Sequence, residues 1–433
     1  MLKLTKTMVA MSLIVLTAAA CGKQEEKKPE AAGSSEPVKI RVYQKIAGIS
    51  DQEFQRYFVE PVKKKYPNVT LEIVRGGDKG NSEEELLASN SFPDIIYGSN
   101  PGIPSFITLG LADDLTEMVK KNNLDLNQFV PRAIETIKQN GKNGELNALP
   151  FSQNFGTLIY NKDIFDKFGV PYPKDGMSWE ETIELSKKLT RNMDGVQYIG
   201  LDPYTVDKVG SGLQLPYVDP KTNKSSINNE GWAKVLGMYK QLFDIPGYID
   251  STNNKYQYGV NGFFKDRNVA MLAPWLDTVV SQANTIKDFK WDLAQLPNFK
   301  EAVGTGREFD EHVVMLSKVS KQKDWAFKVM QLVTTSEEVQ TDMTKQGKMS
   351  VLNKPELQKL FAANHESFKD KNIGAIFKSK PGLPHIPTLY DPIVTSKLNQ
   401  TLKDLATTSK DVNTVLRETE EAANKAIDTA KNK

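Results

Sequence analysis

Residues 148–165 read ALPFSQNFGTLIYNKDIF and contain a polar break inside an otherwise apolar segment. Apolar residues on both sides flank the triplet Ser152, Gln153 and Asn154. A strand that continued through a core would not carry three consecutive polar side chains, because each of them would need a buried partner. The break is therefore either a surface turn between two strands or a place where the chain meets water or a ligand.

The composition is that of a soluble globular protein without a nucleic-acid partner. The chain has 433 residues, enough for two domains or one large one. Its formal net charge is +2, and removal of Lys3 and Lys6 from the N-terminal segment leaves 54 basic against 54 acidic residues. A nearly neutral chain lacks the basic excess that is typical of nucleic-acid binding.

The N-terminus predicts a secretion signal followed by a lipid anchor. Two lysines precede the apolar run Met8–Ala20, which is too short to span a bilayer comfortably. Cys21, the only cysteine, follows three alanines and resembles the lipobox of bacterial lipoproteins, with Ala18 at the usual leucine position. We expect a signal peptide at 1–20, a lipidated Cys21 and a flexible charged tether at 21–37, which would hold the protein on the extracellular face of the bacterial cytoplasmic membrane.

The first part of the body reads as alternating strands and helices. Residues 38–43 alternate between apolar and polar side chains, as do residues 69–73, and residues 94–97 form a third strand. A helix at 51–66, bent at Pro61, and a short helix opened by Ser82 and Glu85 lie between these strands. This order predicts an α/β fold with a parallel, doubly wound sheet.

The second part continues in the same style. Ser178 opens a helix that reaches Thr190, and residues 268–273 form an apolar strand. Another helix is predicted at 324–334. From Ser396 onward, apolar residues at helical spacing predict two terminal helices.

Six stretches, in this order along the chain, resemble the extracellular solute-binding proteins of ABC importers. The resemblance is to the sugar-binding family that includes maltose-binding protein, and it covers nearly all of the chain from residue 38 onward. The stretches are PDIIYGSN (93–100), GELNALPFSQNFGTLIYNKDIF (144–165), SWEETIELSKKLT (178–190), FFKDRNVAMLAPW (263–275), DLAQLPNF (292–299) and DWAFKVMQLVTTSEEVQ (324–340).

The resemblance implies a two-lobed, periplasmic-binding-protein-like α/β fold. Each lobe would be a doubly wound, mainly parallel sheet, and a ligand cleft would lie between the lobes. The first lobe would comprise 38–150 plus 298–346, the second 151–297 plus 347–433, with crossovers near 151–154, 296–298 and 346–352. In this interpretation the polar triplet is the first crossover, across a wet cleft.

Candidate ligand-binding residues come from two arguments. In doubly wound sheets, ligands contact loops beyond the carboxyl ends of strands, where this chain has Gln44 with Lys45 and Ser99 with Asn100. A solvated turn is the alternative explanation for these four residues. The first crossover adds Gln153 and Asn154 to the candidates.

The resemblance supplies the other candidates. Asp202 would accept hydrogen bonds from ligand hydroxyls and Tyr204 would stack on the ligand. Trp275, followed by Asp277, would form an aromatic floor, with a core tryptophan as the alternative. Tyr390 would add another aromatic ring.

Taken together, the resemblance predicts a lipid-anchored substrate-binding protein of an ABC transporter. It would act as a monomer, bind a carbohydrate such as an oligosaccharide, and deliver it to the permease subunits, with no cofactor and no metal. The alternatives are the same fold binding a non-sugar solute such as a polyamine, or reporting ligand to a membrane sensor. An extracellular enzyme is disfavoured, because the sequence has no His-Glu-x-x-His or Gly-x-Ser-x-Gly pattern.

Overall fold

The computed structural model describes residues 36–432. The predicted signal peptide, Cys21 and the tether up to residue 35 lie outside the described residues. Among the residues that are described, no helix combines the length and the apolar character needed to cross a membrane.

The described chain alternates between short strands and helices. The strands are β1 (Val38–Gln44), β2 (Val69–Arg75), β3 (Ile95–Ser99), β4 (Leu149–Asn154), β5 (Leu158–Asn161), β6 (Arg191–Met193), β7 (Val196–Tyr198), β8 (Val218–Asp219), β9 (Lys224–Ser225), β10 (Met271–Leu272), β11 (Trp291–Ala294), β12 (Thr305–Glu308), β13 (Asp310–Leu316) and β14 (Lys380–Gly382). The α-helices are α1 (Asp51–Phe54), α2 (Glu60–Lys65), α3 (Glu83–Ala88), α4 (Ile103–Thr108), α5 (Thr116–Lys121), α6 (Pro131–Asn140), α7 (Lys162–Phe168), α8 (Trp179–Leu189), α9 (Val206–Gly210), α10 (Glu230–Phe243), α11 (Gly259–Phe264), α12 (Leu276–Ala283), α13 (Lys323–Thr335), α14 (Glu337–Lys345), α15 (Pro355–Gln358), α16 (Asp391–Thr407) and α17 (Val412–Lys431).

A five-stranded sheet forms the core of the first half, in the order β2-β1-β3-β13-β4. β1 pairs in parallel with both β2 and β3, as the strand-helix alternation predicts. β13 returns from much later in the chain and pairs antiparallel with β3 and β4. β3 lies in the middle, and all five of its residues are buried.

A three-stranded sheet, in the order β10-β5-β11, forms the core of the second half. Both of its strand pairs are antiparallel, so the mainly parallel sheet expected for each lobe is wrong here. Single parallel bridges at Ile199–Val269 and Asp202–Leu272 add an extended segment beside β10. The alternation of strands and helices in the sequence does not fix strand direction, which depends on where each connection crosses the sheet.

The predicted helix at 51–66 is interrupted at its centre. α1 is followed by a π-helical turn, Gln55–Val59, which leads into α2. Pro61 has no N–H, and its ring would clash with the carbonyl of Tyr57 in a regular α-helix. The wider turn accommodates this proline, with Glu60 N–H donating to the carbonyl of Gln55.

The polar triplet lies at the end of β4, and its last residue, Asn154, lines a cavity. Ser152, Gln153 and Asn154 are all buried. The Gln153 backbone N–H donates to the carbonyl of Met349, and its side-chain amide donates to that of Ser350. The chain leaves the five-stranded sheet only after Asn154, so the passage to β5 occupies 155–157 instead of the predicted 151–154. Gln153 therefore has its buried partners in the segment at 349–352, whereas the Asn154 amide donates to Asp310 and its side-chain oxygen accepts from the backbone N–H groups of Phe155 and Asp277.

The two predicted terminal helices are confirmed as α16 and α17. Their apolar spacing produces a continuous buried stripe, because side chains three or four residues apart share a helix face. The stripe consists of Leu398, Leu402, Leu405, Val415, Leu416, Ala423 and Ile427.

Candidate ligand-binding site

A cavity of about 1060 Å³ lies between the elements that follow the two sheets. One wall is formed by the loop after β1, by α1 and by the π-helical turn. The opposite wall is formed by Trp275 and α12. Residues from the connections between the sheets, such as Asn154, Asp310 and Lys348, complete its lining.

The predicted site residues divide into two groups. Four of them line the cavity: Ser99, Asn154, Trp275 and Asp277. The other seven do not line it: Gln44, Lys45, Asn100, Gln153, Asp202, Tyr204 and Tyr390.

Trp275 precedes α12, is half-buried, and lies against two cationic side chains. The Arg307 guanidinium lies 4.9 Å from the indole centroid, and the Lys208 ammonium lies 5.7 Å from it. Arg307 is itself buried and donates to the backbone carbonyl of Ala273. Burial disfavours the charged form of the guanidinium and lowers the pKa of Arg307 to about 10. Nearby carboxylates and phenols raise the pKa, but by less than burial lowers it. These contacts fix the indole in the wall of the cavity.

Lys348 connects the two walls. Its Nζ lies 3.5 Å from Oε1 of Glu53, on α1, and 3.5 Å from Oδ2 of Asp277, on α12. Burial opposes the charge of this ammonium, but Asp277, Tyr97 and Glu53 outweigh it and raise the pKa of Lys348 well above its usual value. The side chain therefore stays charged although it is 6% exposed.

His312 and Asp310, both on β13, form the floor of the cavity. His312 Nδ1 lies 2.9 Å from the Tyr97 hydroxyl, and its Nε2 lies 3.5 Å from Oδ2 of Asp277. Burial lowers the pKa of His312, which favours the neutral imidazole. Asp310 accepts a hydrogen bond of 3.1 Å from the Asn154 amide, and burial raises its pKa. The floor thus offers both donors and acceptors.

Asp202, expected to accept hydrogen bonds from a ligand, does not line the cavity, and its carboxylate has partners within the fold. It accepts hydrogen bonds from the backbone N–H groups of Tyr204 at 2.8 Å, Tyr258 at 2.9 Å and Gly259 at 2.7 Å. Burial raises the pKa of Asp202, and these three donors oppose that effect. Asp202 therefore holds a turn together.

Tyr204 supports the site from behind instead of stacking on a ligand. Its backbone is strained, with φ of 82°. Its ring lies 5.7 Å from the Arg307 guanidinium and does not line the cavity.

The two candidates that follow β1 also have local partners. The Gln44 amide donates to the carbonyl of Ala47 at 2.7 Å, and the Lys45 ammonium lies 3.0 Å from Glu83. Gln44 thus holds the loop 46–50, which forms part of the cavity wall, and Lys45 is paired with α3.

Asn100, Gln153 and Tyr390 are the remaining candidates that do not line the cavity. The Asn100 amide donates to the carbonyl of Phe309 at 3.3 Å and accepts from the backbone N–H of Glu311 at 3.1 Å. Gln153 holds the segment at 349–352, as described above. Tyr390 lines a separate groove of about 600 Å³, where its ring lies 5.5 Å from the Lys431 ammonium.

Sequence reasoning missed several charged residues of the cavity, namely Glu53, Arg56, Lys208, Asp310, His312 and Lys348. One signal was present: β13 begins with three polar residues, DEH, before the apolar run VVML. A strand that starts polar and ends apolar has one end near solvent or a site. Lys348 has no comparable local signal. Within residues 36–432 there is no group of three or more His, Cys, Asp or Glu residues that could hold a metal ion.

The model of the family "bacterial extracellular solute-binding protein" matches residues 48–340. The chain belongs to this family. A Brucella abortus protein named as a binding protein is 23% identical over 299 residues, which cover 63% of this chain and 67% of that protein.

Solved structures of sugar-binding proteins share the fold. An ABC substrate-binding protein of Listeria monocytogenes in complex with cycloalternan aligns with a TM-score of 0.75 at 20% identity, covering 90% of this chain and 99% of that one. A solute-binding protein of Thermotoga lettingae bound with α-D-tagatose aligns with a TM-score of 0.70 at 16% identity, covering 90% and 100%. These matches confirm the two-lobed α/β fold. The family and these neighbours are substrate-binding proteins of ABC transporters, not enzymes. We refer to the five-stranded sheet with its helices as the first lobe and to the three-stranded sheet with its helices as the second lobe.

Proposed function

We propose that this protein binds a carbohydrate in the cavity of about 1060 Å³ and delivers it to the permease of an ABC importer. The observation that carries the proposal is the pairing of Trp275 with hydrogen-bonding groups of both kinds in one cavity. A sugar ring has an apolar face that stacks on an aromatic ring, and hydroxyl groups that both donate and accept hydrogen bonds. Asp277 and Asp310 accept, Lys348 donates, and the Asn154 amide, whose oxygen already accepts from the backbone N–H groups of Phe155 and Asp277, has one further N–H to donate.

The size of the cavity favours an oligosaccharide. Pockets for small ligands usually enclose about 300 to 1,000 Å³, and this cavity, at about 1060 Å³, slightly exceeds that range. The Listeria monocytogenes neighbour is described in complex with cycloalternan, which is consistent with a ligand of this kind.

The cations beside Trp275 argue against a polyamine. Arg307 and Lys208 lie 4.9 Å and 5.7 Å from the indole centroid, so its electron-rich faces already interact with positive charge. A polyamine stacked on the same indole would be repelled by both side chains. A neutral sugar ring meets no such repulsion.

The remaining parts of the proposal rest on the sequence. Cys21 would attach the mature chain by lipid to the extracellular face of the cytoplasmic membrane, with 21–37 as a tether. The chain would act as a monomer, and the lobes, divided near the predicted crossovers, would close around the ligand. Closure through contacts from both lobes would present one conformation to the permease.

A binding experiment with Trp275→Ala tests the proposed site. Carbohydrates would first be screened by thermal shift, because a ligand that binds only the folded state raises the melting temperature. For a sugar that binds, we expect Trp275→Ala to weaken binding by roughly thirtyfold in calorimetry, about 2 kcal/mol for loss of a central aromatic contact. The melting temperature without ligand should fall only slightly.

Trp325→Ala is the matched control. Trp325 is also half-buried and also has a cationic neighbour, Lys328 at 4.6 Å, but it lies on α13 away from the cavity. Its replacement should leave sugar affinity unchanged. Equal affinity of the Trp275→Ala variant and the unmodified protein would contradict the proposed site, and silence from every sugar in the screen would contradict the substrate class.

A further inference from the structure

Lys348 is flanked by elements of the first lobe, and its side chain reaches Asp277 on α12 of the second lobe. It follows α14 and precedes a segment that pairs with the first lobe, since Met349 bridges to Gln153 and Leu352 bridges to Phe129. The side chain is 6% exposed, and it lines the cavity. A change in the relative position of the lobes would therefore act directly on this residue.

The ammonium of Lys348 is held by one carboxylate from each lobe, and both contacts are long. Glu53 and Asp277 each lie 3.5 Å from Nζ. Charge-assisted hydrogen bonds are usually about 2.7 to 2.9 Å long, and an ammonium has three donors. Within the described residues, the long contact to Asp277 is the only hydrogen bond of this ammonium. Its hydrogen-bonding capacity is largely unused.

The ion pair between Arg56 and Asp342, also at the cavity, has a shorter geometry and serves as a comparison. Arg56 also lines the cavity, and its Nη2 lies 2.7 Å from Oδ1 of Asp342 in a two-point contact. That pair is more exposed than Lys348, yet it is shorter. Burial of an ammonium is costly unless close partners compensate, and the contacts of 3.5 Å around Lys348 leave its N–H groups able to bond a closer acceptor.

We propose that Lys348 couples ligand binding to lobe closure: its ammonium donates to a ligand hydroxyl that in turn donates to Glu53 of the first lobe or Asp277 of the second. A hydroxyl group fits this position because it accepts one hydrogen bond and donates another. A ligand amine cannot accept from an ammonium while it is protonated. Without ligand, the same ammonium still attracts both carboxylates and biases the lobes toward the closed arrangement. This inference rests on the proposed carbohydrate function for the choice of ligand, but its conformational part does not.

Distance measurements between spin labels on the two lobes test the conformational part without any ligand. Lys142→Cys places a label on the first lobe and Thr222→Cys places one on the second, at exposed positions, with Cys21→Ser so that only these sites react. In this background, Lys348→Met should shift the interlobe distance distribution toward longer values. Lys348→Arg, which keeps the charge, should retain the distribution of the parent.

Affinity measurements test the ligand part. For a sugar identified in the screen, Lys348→Met should weaken binding by about tenfold to a hundredfold, as expected for loss of a charge-assisted hydrogen bond. Lys348→Arg should also weaken binding, because the longer guanidinium occupies the place of the ligand hydroxyl. Lys354→Met is the control: it removes an ammonium six residues away whose partner, Glu337, lies outside the cavity. It should change neither distance nor affinity.

The possible outcomes separate this inference from the proposed function. An unchanged distance distribution and unchanged affinity in Lys348→Met would overturn the inference while the sugar function stands. A protein that binds no sugar but opens on Lys348→Met would overturn the proposed function and support the conformational part. If Lys348→Met does not fold, the affinity of Lys348→Arg is the test. An unchanged sugar affinity in Lys348→Arg would overturn the proposed hydrogen bond between Lys348 and the ligand.

Discussion

Asp202 and Lys348 are both buried charged residues, at 3% and 6% exposure, but their surroundings differ. Three backbone N–H groups surround the Asp202 carboxylate at 2.7 to 2.9 Å. Two carboxylates hold the Lys348 ammonium at 3.5 Å, one from each lobe. A buried charge that is fully satisfied by its own fold stabilises that fold, whereas one with unused capacity at a cavity is available to a ligand.

Asp202→Ala should have the largest effect on stability. It removes a charged acceptor from three buried backbone donors, which then lack partners. We expect the free energy of unfolding to fall by about 4 kcal/mol, measured by urea denaturation. Sugar affinity of the folded fraction should be nearly unchanged.

Asp250→Ala is the control for this loss. The Asp250 carboxylate also accepts from three N–H groups, two from the backbone and one from the Asn253 side chain, but at the surface. Water can replace these contacts, so its stability loss should be much smaller. A loss of affinity without loss of stability in Asp202→Ala would reverse the assignment of Asp202 to a structural role.

His385 extends the comparison to a half-buried cation whose ring nitrogens both have close partners. Its Nδ1 lies 2.9 Å from Glu308 and its Nε2 lies 3.0 Å from Asp391. Burial opposes the charge, but hydrogen bonds to Asp391 and Glu308 outweigh it and raise the pKa of His385 from 6.5 to about 9. In contrast to Lys348, this cation lies outside the main cavity and has close partners on both ring nitrogens.

The raised pKa of His385 predicts a pH-dependent contribution to stability. Because the folded-state pKa exceeds the unfolded one, the contribution is complete below about pH 6.5 and is lost as the pH rises through about 9. A shift of this size corresponds to about 3 kcal/mol. The difference in unfolding free energy between the unmodified protein and His385→Gln should therefore be large at pH 6 and should shrink by about that amount at pH 10. A difference that does not vary with pH would show that His385 is not charged in the fold.

The sequence predicted local structure better than the site, and the reason is visible in particular residues. The Ser82 and Ser178 capping boxes are confirmed with both reciprocal hydrogen bonds, because such signals depend on residues three apart. Trp275 and Asp277 stand in the cavity wall, where a local motif had suggested them. Lys348 was missed because it contacts Asp277, 71 residues away in the sequence, and no local pattern records that contact. For Asp202 the residue type was informative, but whether its oxygens are already occupied depends on Tyr258 and Gly259, far along the chain.

Glu311 is a buried carboxyl group without a hydrogen-bond partner among the described residues, and it tests whether every such group contacts the ligand. It is fully buried on β13, and among the described residues no donor reaches either carboxylate oxygen. Burial, together with the nearby Asp310, raises its pKa well above the usual value. Unlike Lys348, Glu311 does not line the cavity.

Glu311→Met should therefore stabilise the protein without changing sugar affinity. Methionine has a similar volume and no oxygens that need partners, so we expect a gain of about 1 to 2 kcal/mol in urea denaturation near neutral pH. The gain should decrease in acid, because protonation of Glu311 in the unfolded state as well as in the folded state removes the cost of neutralising it on folding. A loss of stability would mean that Glu311 has a partner that holds it in place. Loss of sugar affinity alone would mean that Glu311 affects ligand binding although it does not line the cavity. The contrast between Asp202 and Lys348 would then have to be extended to buried residues that do not themselves line the cavity.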